Sequence, residues 1–214
     1  MIPVRVLAVR YLANATPALG KALGAPEGYP ALGLLTTDCD DATYIALDAA
    51  TKAADVKVVY SRSFYGGAAN ASTPYAGEVI GILAGPTPGT LRSGMEAALS
   101  ALKTLGFQEA GKVPYLAHTV SRSGSFLAHE AGVPEGTPLA YLIAPPLESL
   151  YALDAALKAA DVKLCKLYGP PSETNFGGGL LSGTQSACQA ACAAFAGAVA
   201  QVAARPLEQE GLWN

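Results

Sequence analysis

Three aspartates, Asp38, Asp40 and Asp41, stand together just before a segment with helical periodicity. Carboxylates at the start of a helix commonly accept hydrogen bonds from free backbone N–H groups and offset the positive end of the helix dipole. A carboxylate that is left over from this role would complement a small cation. The residue types therefore leave a structural and a binding interpretation of this cluster open.

Thiols and imidazoles are sparse. The cysteines are Cys39, Cys165, Cys188 and Cys192. Only the last two are close in sequence, at i and i+4 on a predicted helix, so we expect small buried hydrophobes in a reducing cytosol rather than disulfides. His118 and His129 alone do not suggest a metal site, and no cofactor is expected.

Motifs of catalysis are absent from the sequence. It contains no G-x-x-x-x-G-K-[ST] phosphate loop, no G-x-S-x-G elbow and no H-E-x-x-H pair. Two histidines leave few options for a catalytic triad. We therefore expect a protein that is not an enzyme.

The composition narrows the class of protein further. The chain has 214 residues, of which 51% are hydrophobic and only 14% charged, with a formal net charge of −3. This balance argues against disorder and against nucleic acid as a partner. The apolar stretch at 187–204 is mostly alanine and contains two glutamines, so no membrane span is expected. A weakly charged surface is typical of contact with other protein.

The chain repeats itself. Leu47–Lys57 and Leu153–Lys163 are identical at ten of eleven positions, at an offset of 106 (153 − 47). The motif P-E-G-x-P occurs at 26–30 and again at 134–138, at an offset of 108 (134 − 26). Such order and spacing indicate a tandem duplication, which we divide into domains at 1–109 and 110–214.

Each repeat has the same predicted elements. In the first they are strands at 4–12, 31–36, 56–60 and 78–84 and helices at 41–54 and 90–105. In the second they are strands at 115–120, 139–144, 162–167 and 178–182 and helices at 147–160 and 186–204. Two helices against a mostly antiparallel sheet predict an α+β sandwich, and residues 106–113 are expected to link the two domains.

Several motifs carry a family resemblance. A-L-G-L-L-T-T, K-A-A-D-V-K-V-V-Y and E-V-I-G-I-L-A-G-P resemble the shell domain of bacterial microcompartments (BMC). Two domains, each preceded by a strand that ordinary members carry at the C-terminus, are similar to the circularly permuted tandem type. The motifs D-C-D-D-A-T-Y, A-P-P-L-E-S, P-P-S-E-T-N-F and S-R-S-G-S-F-L resemble the ethanolamine-utilisation type.

The resemblance implies an assembly. It implies ferredoxin-like domains in a homotrimer shaped as a pseudo-hexamer, which tiles with other shell proteins around encapsulated enzymes in the cytoplasm. It also implies a gated central pore and a smaller pore in each subunit. The alternatives are a small-molecule-binding regulator, or a shell protein of a propanediol or ethanol compartment.

Two glycine-rich loops, at 61–77 and 169–178, are the candidate pore. The residues alone favour surface loops with aromatic side chains in the core, whereas shell domains place this loop at the symmetry axis. We therefore expect Phe64, Tyr65 and Phe176 to line or plug the pore. The other candidate pore residues are Ser63, Gly66, Gly67, Asn70 and Asn175.

The resemblance also implies a ligand site and an assembly edge. It places ethanolamine, a small ammonium with a hydroxyl group, near the small pore. Its candidate ligands are Asp40, Glu78, Phe107 and Thr174. From spacing alone, Lys52 and Lys158 pair with the aspartates four residues earlier; in shell domains a lysine at this position lies where tiles meet.

Overall fold

The computed structural model describes residues 1–63, 79–169 and 176–207. The elements of the first half are β1 (Ile2–Pro3), β2 (Val6–Leu12), α1 (Pro17–Ala22), β3 (Ala31–Thr37), α2 (Asp40–Ala53), β4 (Lys57–Ser63), β5 (Val79–Gly85) and α3 (Pro88–Leu102). Those of the second half are β6 (Gly106–Ala110), β7 (Val113–Val120), α4 (Ser125–Ala131), β8 (Leu139–Ala144), α5 (Pro146–Ala159), β9 (Val162–Tyr168), β10 (Gly177–Gly183) and α6 (Gln185–Ala204).

The predicted α+β class is confirmed, and the predicted elements match the observed ones to within a few residues. A boundary between the two compact units, Gly106/Phe107, lies within the predicted link at 106–113. Most of this region is a hairpin, in which β6 and β7 pair with Ala110 opposite Val113. Its two-residue turn begins at Gly111, whose φ of 63° suits the left-handed region that tight hairpin turns require. The short helices α1 and α4 were not predicted.

The strands form two sheets in which the described pairs are antiparallel. One sheet has the order β2-β3-β5-β4, and the other has the order β1-β6-β7-β8-β10-β9. In the first sheet, Ser63 at the end of β4 stands opposite Val79 at the start of β5. This register places the last residue of β4 and the first residue of β5 next to each other at one end of the sheet.

Two compact units share the chain. One comprises Pro3–Gly106 together with Arg122–Gly136, and the other comprises Met1–Ile2, Phe107–Ser121 and Thr137–Asn214. The segment Arg122–Gly136 thus packs with the first repeat, although it follows the boundary set at 109/110. The boundary at 109/110 stays a prediction, because it divides the two copies of the repeated sequence, whereas the compact units are defined by contacts in space.

In the unit of the first repeat, glycines on two strands make room for side chains of the helices. Gly33 on β3 faces Met95 of α3, and a Cβ at Gly33 would lie 2.7 Å from Met95 Cε. Gly81 on β5 faces Leu47 of α2 in the same way, at 2.6 Å from Leu47 Cδ1. Because these two glycines have no side chain, Leu47 and Met95 pack directly against the strands, and both are fully buried.

In the other unit, α5 and α6 pack on the sheet through small side chains. The buried residues of α6 are Cys188, Ala191, Cys192, Phe195, Ala198 and Val199, which recur at helical spacing along one face. By length and composition α6 is also apolar enough to cross a membrane, the one such helix in the described part of the chain. Core helices of globular proteins also meet these criteria of length and composition. Phe195 of α6 is fully buried in a cluster with Leu142 and Leu153.

Candidate functional site

The start of α2 is fixed by a turn that ends β3. Thr37 Oγ1 accepts a hydrogen bond from Cys39 N at 3.1 Å and lies 2.7 Å from Thr43 Oγ1. Thr43 Oγ1 in turn donates to the carbonyl oxygen of Cys39 at 2.7 Å. Cys39 is the N-cap of α2 and provides no side-chain capping bond. The first turn of the helix is therefore held by threonine hydroxyls.

Asp40 is the first residue of α2 and is buried, with only 8% of its surface exposed. Its Oδ1 accepts a hydrogen bond from Asp41 N at 2.9 Å, and its Oδ2 accepts one from Ser63 Oγ at 2.6 Å. The N-terminal position on the helix stabilises the negative charge. Asp40 thus stabilises the start of the helix, as the structural interpretation predicted, and it also contacts Ser63, the last residue of β4.

The neighbouring aspartates differ in their surroundings. Asp38 forms an ion pair with Arg5, with 2.8 Å between Arg5 Nε and Asp38 Oδ2, and it accepts a further bond from Arg5 N. Asp41 is buried in the first turn of α2. The cluster therefore contains one carboxylate matched by arginine and two buried carboxylates at a helix start.

The second repeat lacks this arrangement. At the offset of 106, Pro146 stands in place of Asp40 and Gly169 in place of Ser63. Pro146 begins α5, which forms without a side-chain capping bond. The hydrogen bond between Asp40 and Ser63 is therefore a property of the first repeat and not a requirement of the duplicated fold.

Two further candidates meet in the other compact unit. The rings of Phe107 on β6 and Phe176 contact edge to face, with 5.7 Å between their centroids and an interplanar angle of 80°. Phe176, a candidate pore residue, and Phe107, a candidate ligand residue, thus share one aromatic pair. The candidates outside the described residues are Phe64, Tyr65, Gly66, Gly67, Asn70, Glu78, Thr174 and Asn175.

The repeated lysines have different environments. Lys52 Nζ lies 3.1 Å from Asp48 Oδ2 and donates to the carbonyl oxygen of Arg122 at 3.0 Å, so its side chain is only 32% exposed. Lys158 Nζ lies 2.6 Å from Asp154 Oδ2, and its side chain is 75% exposed. The simple solvated pair predicted from the spacing is present at Lys158 but not at Lys52.

Asp48 has a structural role that its sequence spacing did not indicate. It is fully buried, and its carboxylate accepts hydrogen bonds from Gly124 N at 2.8 Å and Leu127 N at 2.9 Å. Thr51 Oγ1 adds a bond from Ser125 N at 3.1 Å. One turn of α2 thereby fixes the start of α4. The sequence offered no signal, because Asp48 and its exposed counterpart Asp154 lie in almost identical motifs.

The cysteines divide into two classes. Burial raises the pKa of the Cys192 thiol to about 11, although the hydrogen bond from Thr119 acts to lower it. Burial also raises the pKa of the Cys188 thiol. These two are the small buried hydrophobes that were predicted. Cys39 and Cys165 are half-buried, so the prediction is wrong for them. Within the described ranges, no group of three or more histidine, cysteine, aspartate or glutamate residues could hold a metal ion.

Comparison with known proteins defines the class of the domain. Residues 31–113, which run from β3 to the start of β7, match the BMC domain. The chain is 56% identical over 211 residues to the bacterial microcompartment shell protein EutL of Clostridium perfringens, covering 97% of each chain. It is 46% identical to EutL of Escherichia coli over 213 residues, covering 98% of this chain and 97% of that one.

A solved structure agrees in fold over the same length. The crystal structure of the ethanolamine utilization protein EutL from Leptotrichia buccalis superposes with a TM-score of 0.95 at 57% identity, covering 97% of this chain and 98% of that one. The chain therefore belongs to the family of the bacterial microcompartment shell protein EutL.

Proposed function

We propose that this chain is a structural tile of the shell of an ethanolamine-utilisation microcompartment. The observation that carries this proposal is 56% identity to a shell protein across 97% of both chains, with both repeats included. The chain is a shell protein and not an enzyme, and its place is the microcompartment in the bacterial cytoplasm. A homotrimer of the duplicated chain would present six similar domains to neighbouring shell proteins.

The extent of assembly distinguishes a tile from a regulator. Purified protein is examined by negative-stain electron microscopy and by light scattering after size exclusion. A tile forms extended sheets built from trimers, whereas a small-molecule-binding regulator stays a discrete oligomer. Discrete particles at every protein concentration and ionic strength would contradict the proposed function.

Lys158 and Lys52 are the proposed contact residues at the edge of the tile. Lys158→Ala is expected to leave the trimer intact and to reduce the sheets seen by electron microscopy, and the double variant with Lys52→Ala is expected to abolish them. Lys158 is the cleaner test, because its side chain is 75% exposed whereas Lys52 contacts the buried Asp48. Lys112→Ala, at an exposed turn, is the matched control. Unchanged sheets in the double variant would refute this role.

The proposed ligand is ethanolamine, bound near the small pore by Asp40, Glu78, Phe107 and Thr174. What supports Asp40 is its buried carboxylate, which accepts a hydrogen bond from Ser63 at the end of β4 and has no equivalent in the second repeat, where Pro146 takes its place. A carboxylate and a serine hydroxyl are suitable partners for an ammonium and a hydroxyl group. Glu78 directly precedes β5 in the chain and would add a second acidic group.

Asp40→Ala is expected to abolish the heat of ethanolamine binding in calorimetry, because a charge-assisted hydrogen bond contributes about 1.5–3 kcal/mol. That amount corresponds to a loss of affinity of roughly 10- to 100-fold. Asp38→Ala, which removes a carboxylate already paired with Arg5, is the control and should bind normally. Light scattering should show an intact trimer for both. Wild-type affinity in the Asp40 variant would overturn the assignment.

The loops at 61–77 and 169–178 are proposed as the central pore and its gate, through which metabolites or encapsulated enzymes' cofactors pass. The contact between Phe107 and Phe176 supports the aromatic part of this proposal, because it ties the end of the second loop to β6. Ser63 supports the link between the first loop and the ligand site, since it bonds to Asp40.

A further inference from the structure

Two threonine hydroxyls hold the backbone of Cys39, the residue that precedes Asp40. Thr37 Oγ1 accepts a hydrogen bond from Cys39 N at 3.1 Å. The carbonyl oxygen of Cys39 lies 2.7 Å from Thr43 Oγ1 and 3.0 Å from Thr37 Oγ1, and the two hydroxyls are 2.7 Å apart. Each hydroxyl has a single proton. Whichever of the two donates to the other, the remaining proton therefore goes to the Cys39 carbonyl.

A fixed Cys39 carbonyl also fixes the backbone of Asp40. The peptide group that joins the two residues is planar, so the position of its carbonyl oxygen determines where Asp40 N and Cα lie. From there the Asp40 carboxylate reaches Ser63 Oγ at 2.6 Å, a length typical of a hydroxyl that donates to an ionised carboxylate. Because so short a bond tolerates little displacement, the two threonines control the position of the carboxylate.

The second repeat begins the equivalent helix without this pair of hydroxyls. At the offset of 106, the counterparts of Thr37 and Thr43 are Ile143 and Ser149. Ser149 Oγ donates at 2.9 Å to the carbonyl oxygen of Pro146, one residue beyond the counterpart of the N-cap. The same helix start therefore forms with an apolar residue in place of one threonine. The threonine pair occurs in the repeat that contains the buried aspartate.

The burial of the pair argues against a role in packing alone. Thr37 and Thr43 are both at 0% exposure. A buried hydroxyl loses its contacts with water and destabilises the fold unless it is hydrogen-bonded within the protein. Ile143, at 3% exposure, shows that an apolar side chain fits at the first of these positions. Packing therefore does not require the two hydroxyls, whereas a fixed position of the Asp40 carboxylate does.

We propose that Thr43, with Thr37 as its partner, is a positioning residue for the binding of ethanolamine. Thr43 acts through Asp40, because its hydroxyl holds the backbone from which the Asp40 carboxylate extends to the ammonium group. This inference rests on the proposed ethanolamine site and names the residues that give this site its geometry. A carboxylate that is already in place loses less conformational freedom when the ligand binds, and this preorganisation increases affinity.

Thr43→Val tests the proposal, because valine is similar in shape to threonine and lacks the hydroxyl. Calorimetric titration with ethanolamine is expected to show binding about 5- to 10-fold weaker than in the wild type, the effect of one lost hydrogen bond. Thr43→Ser keeps the hydroxyl and should restore the wild-type affinity.

Ser149→Ala is the matched control. It removes a hydroxyl that is also at 0% exposure, at the equivalent position of the second repeat, and should leave the affinity for ethanolamine unchanged. Thermal unfolding followed by circular dichroism gives the stability of each variant. A loss of stability that Thr43→Val and Ser149→Ala share does not account for weaker binding in only one of them.

The outcomes separate this inference from the proposed ligand. Weaker binding in Thr43→Val with rescue in Thr43→Ser supports the positioning role, and equal weakening in both contradicts it. Wild-type affinity in Thr43→Val, together with lost binding in Asp40→Ala, would overturn the positioning role and leave the ethanolamine site standing. A wild-type protein that binds no ethanolamine would overturn both. If Thr43→Val does not fold, Thr37→Val provides the same test, and unchanged affinity in that variant refutes the inference.

Discussion

Asp48→Ala is expected to lower the free energy of unfolding by about 3 kcal/mol. The substitution leaves the N–H groups of Gly124 and Leu127 buried without an acceptor, and each such group costs about 1–3 kcal/mol. It also removes the carboxylate that pairs with Lys52, whose side chain is only 32% exposed. The measurement is urea denaturation followed by circular dichroism at fixed protein concentration, since association contributes to apparent stability.

The chain provides its own control for this experiment. Asp154 occupies the equivalent position in the second repeat, and Lys158 follows it four residues later as Lys52 follows Asp48. The side chain of Asp154, however, is 63% exposed. Removal of an exposed ion pair costs at most about 0.5 kcal/mol in a helix. Equal destabilisation by Asp48→Ala and Asp154→Ala would show that the buried hydrogen bonds of Asp48 contribute nothing beyond the ion pair.

Gly178→Ala is expected to destabilise the protein by about 3–5 kcal/mol or to prevent its folding. Gly178 pairs with Ile143 in the centre of a sheet, and its φ of 154° is one that side-chain-bearing residues rarely adopt. A Cβ there would overlap the backbone carbonyl of Leu142, which cannot move without breaking strand pairing. Overpacking and backbone strain each cost about 1–3 kcal/mol.

Gly197→Ala is the matched control in the same unit. Gly197 lies on the exposed side of α6, where a Cβ would have no atom within 4 Å. Alanine in a helix interior is favoured over glycine by about 1 kcal/mol, so this variant should be more stable than wild type. The same denaturation measurement applies to both variants. A Gly178→Ala protein of wild-type stability would refute the steric argument.

Regular elements of this chain were predictable because their periodicity is local. The helices at α2, α5 and α6 and the apolar strands β3, β5 and β8 carry their own patterns of buried residues. The short helices α1 and α4 do not. With six and seven residues they are below the length at which a periodic pattern is visible, and α4 depends on hydrogen bonds that its start donates to α2.

The candidate site was predictable in its acidic residue but not in its neighbours. Asp40 stood out as a carboxylate before a helix. Its bond to Ser63 depends on the path of β4 past the start of α2, which no local pattern encodes. The contrast between Asp48 and Asp154 was hidden for the same reason. Identical motifs acquire different environments only when a distant segment covers one of them.

The assignment of Arg122–Gly136 to the first compact unit has a consequence for how the chain is made. During synthesis, the first repeat emerges from the ribosome with Asp48 awaiting backbone groups that lie 76 and 79 residues further along. Its final packing therefore follows the start of the second repeat. The first repeat of this duplicated chain therefore depends on the second for part of its packing, and we expect it not to reach its native packing when expressed alone.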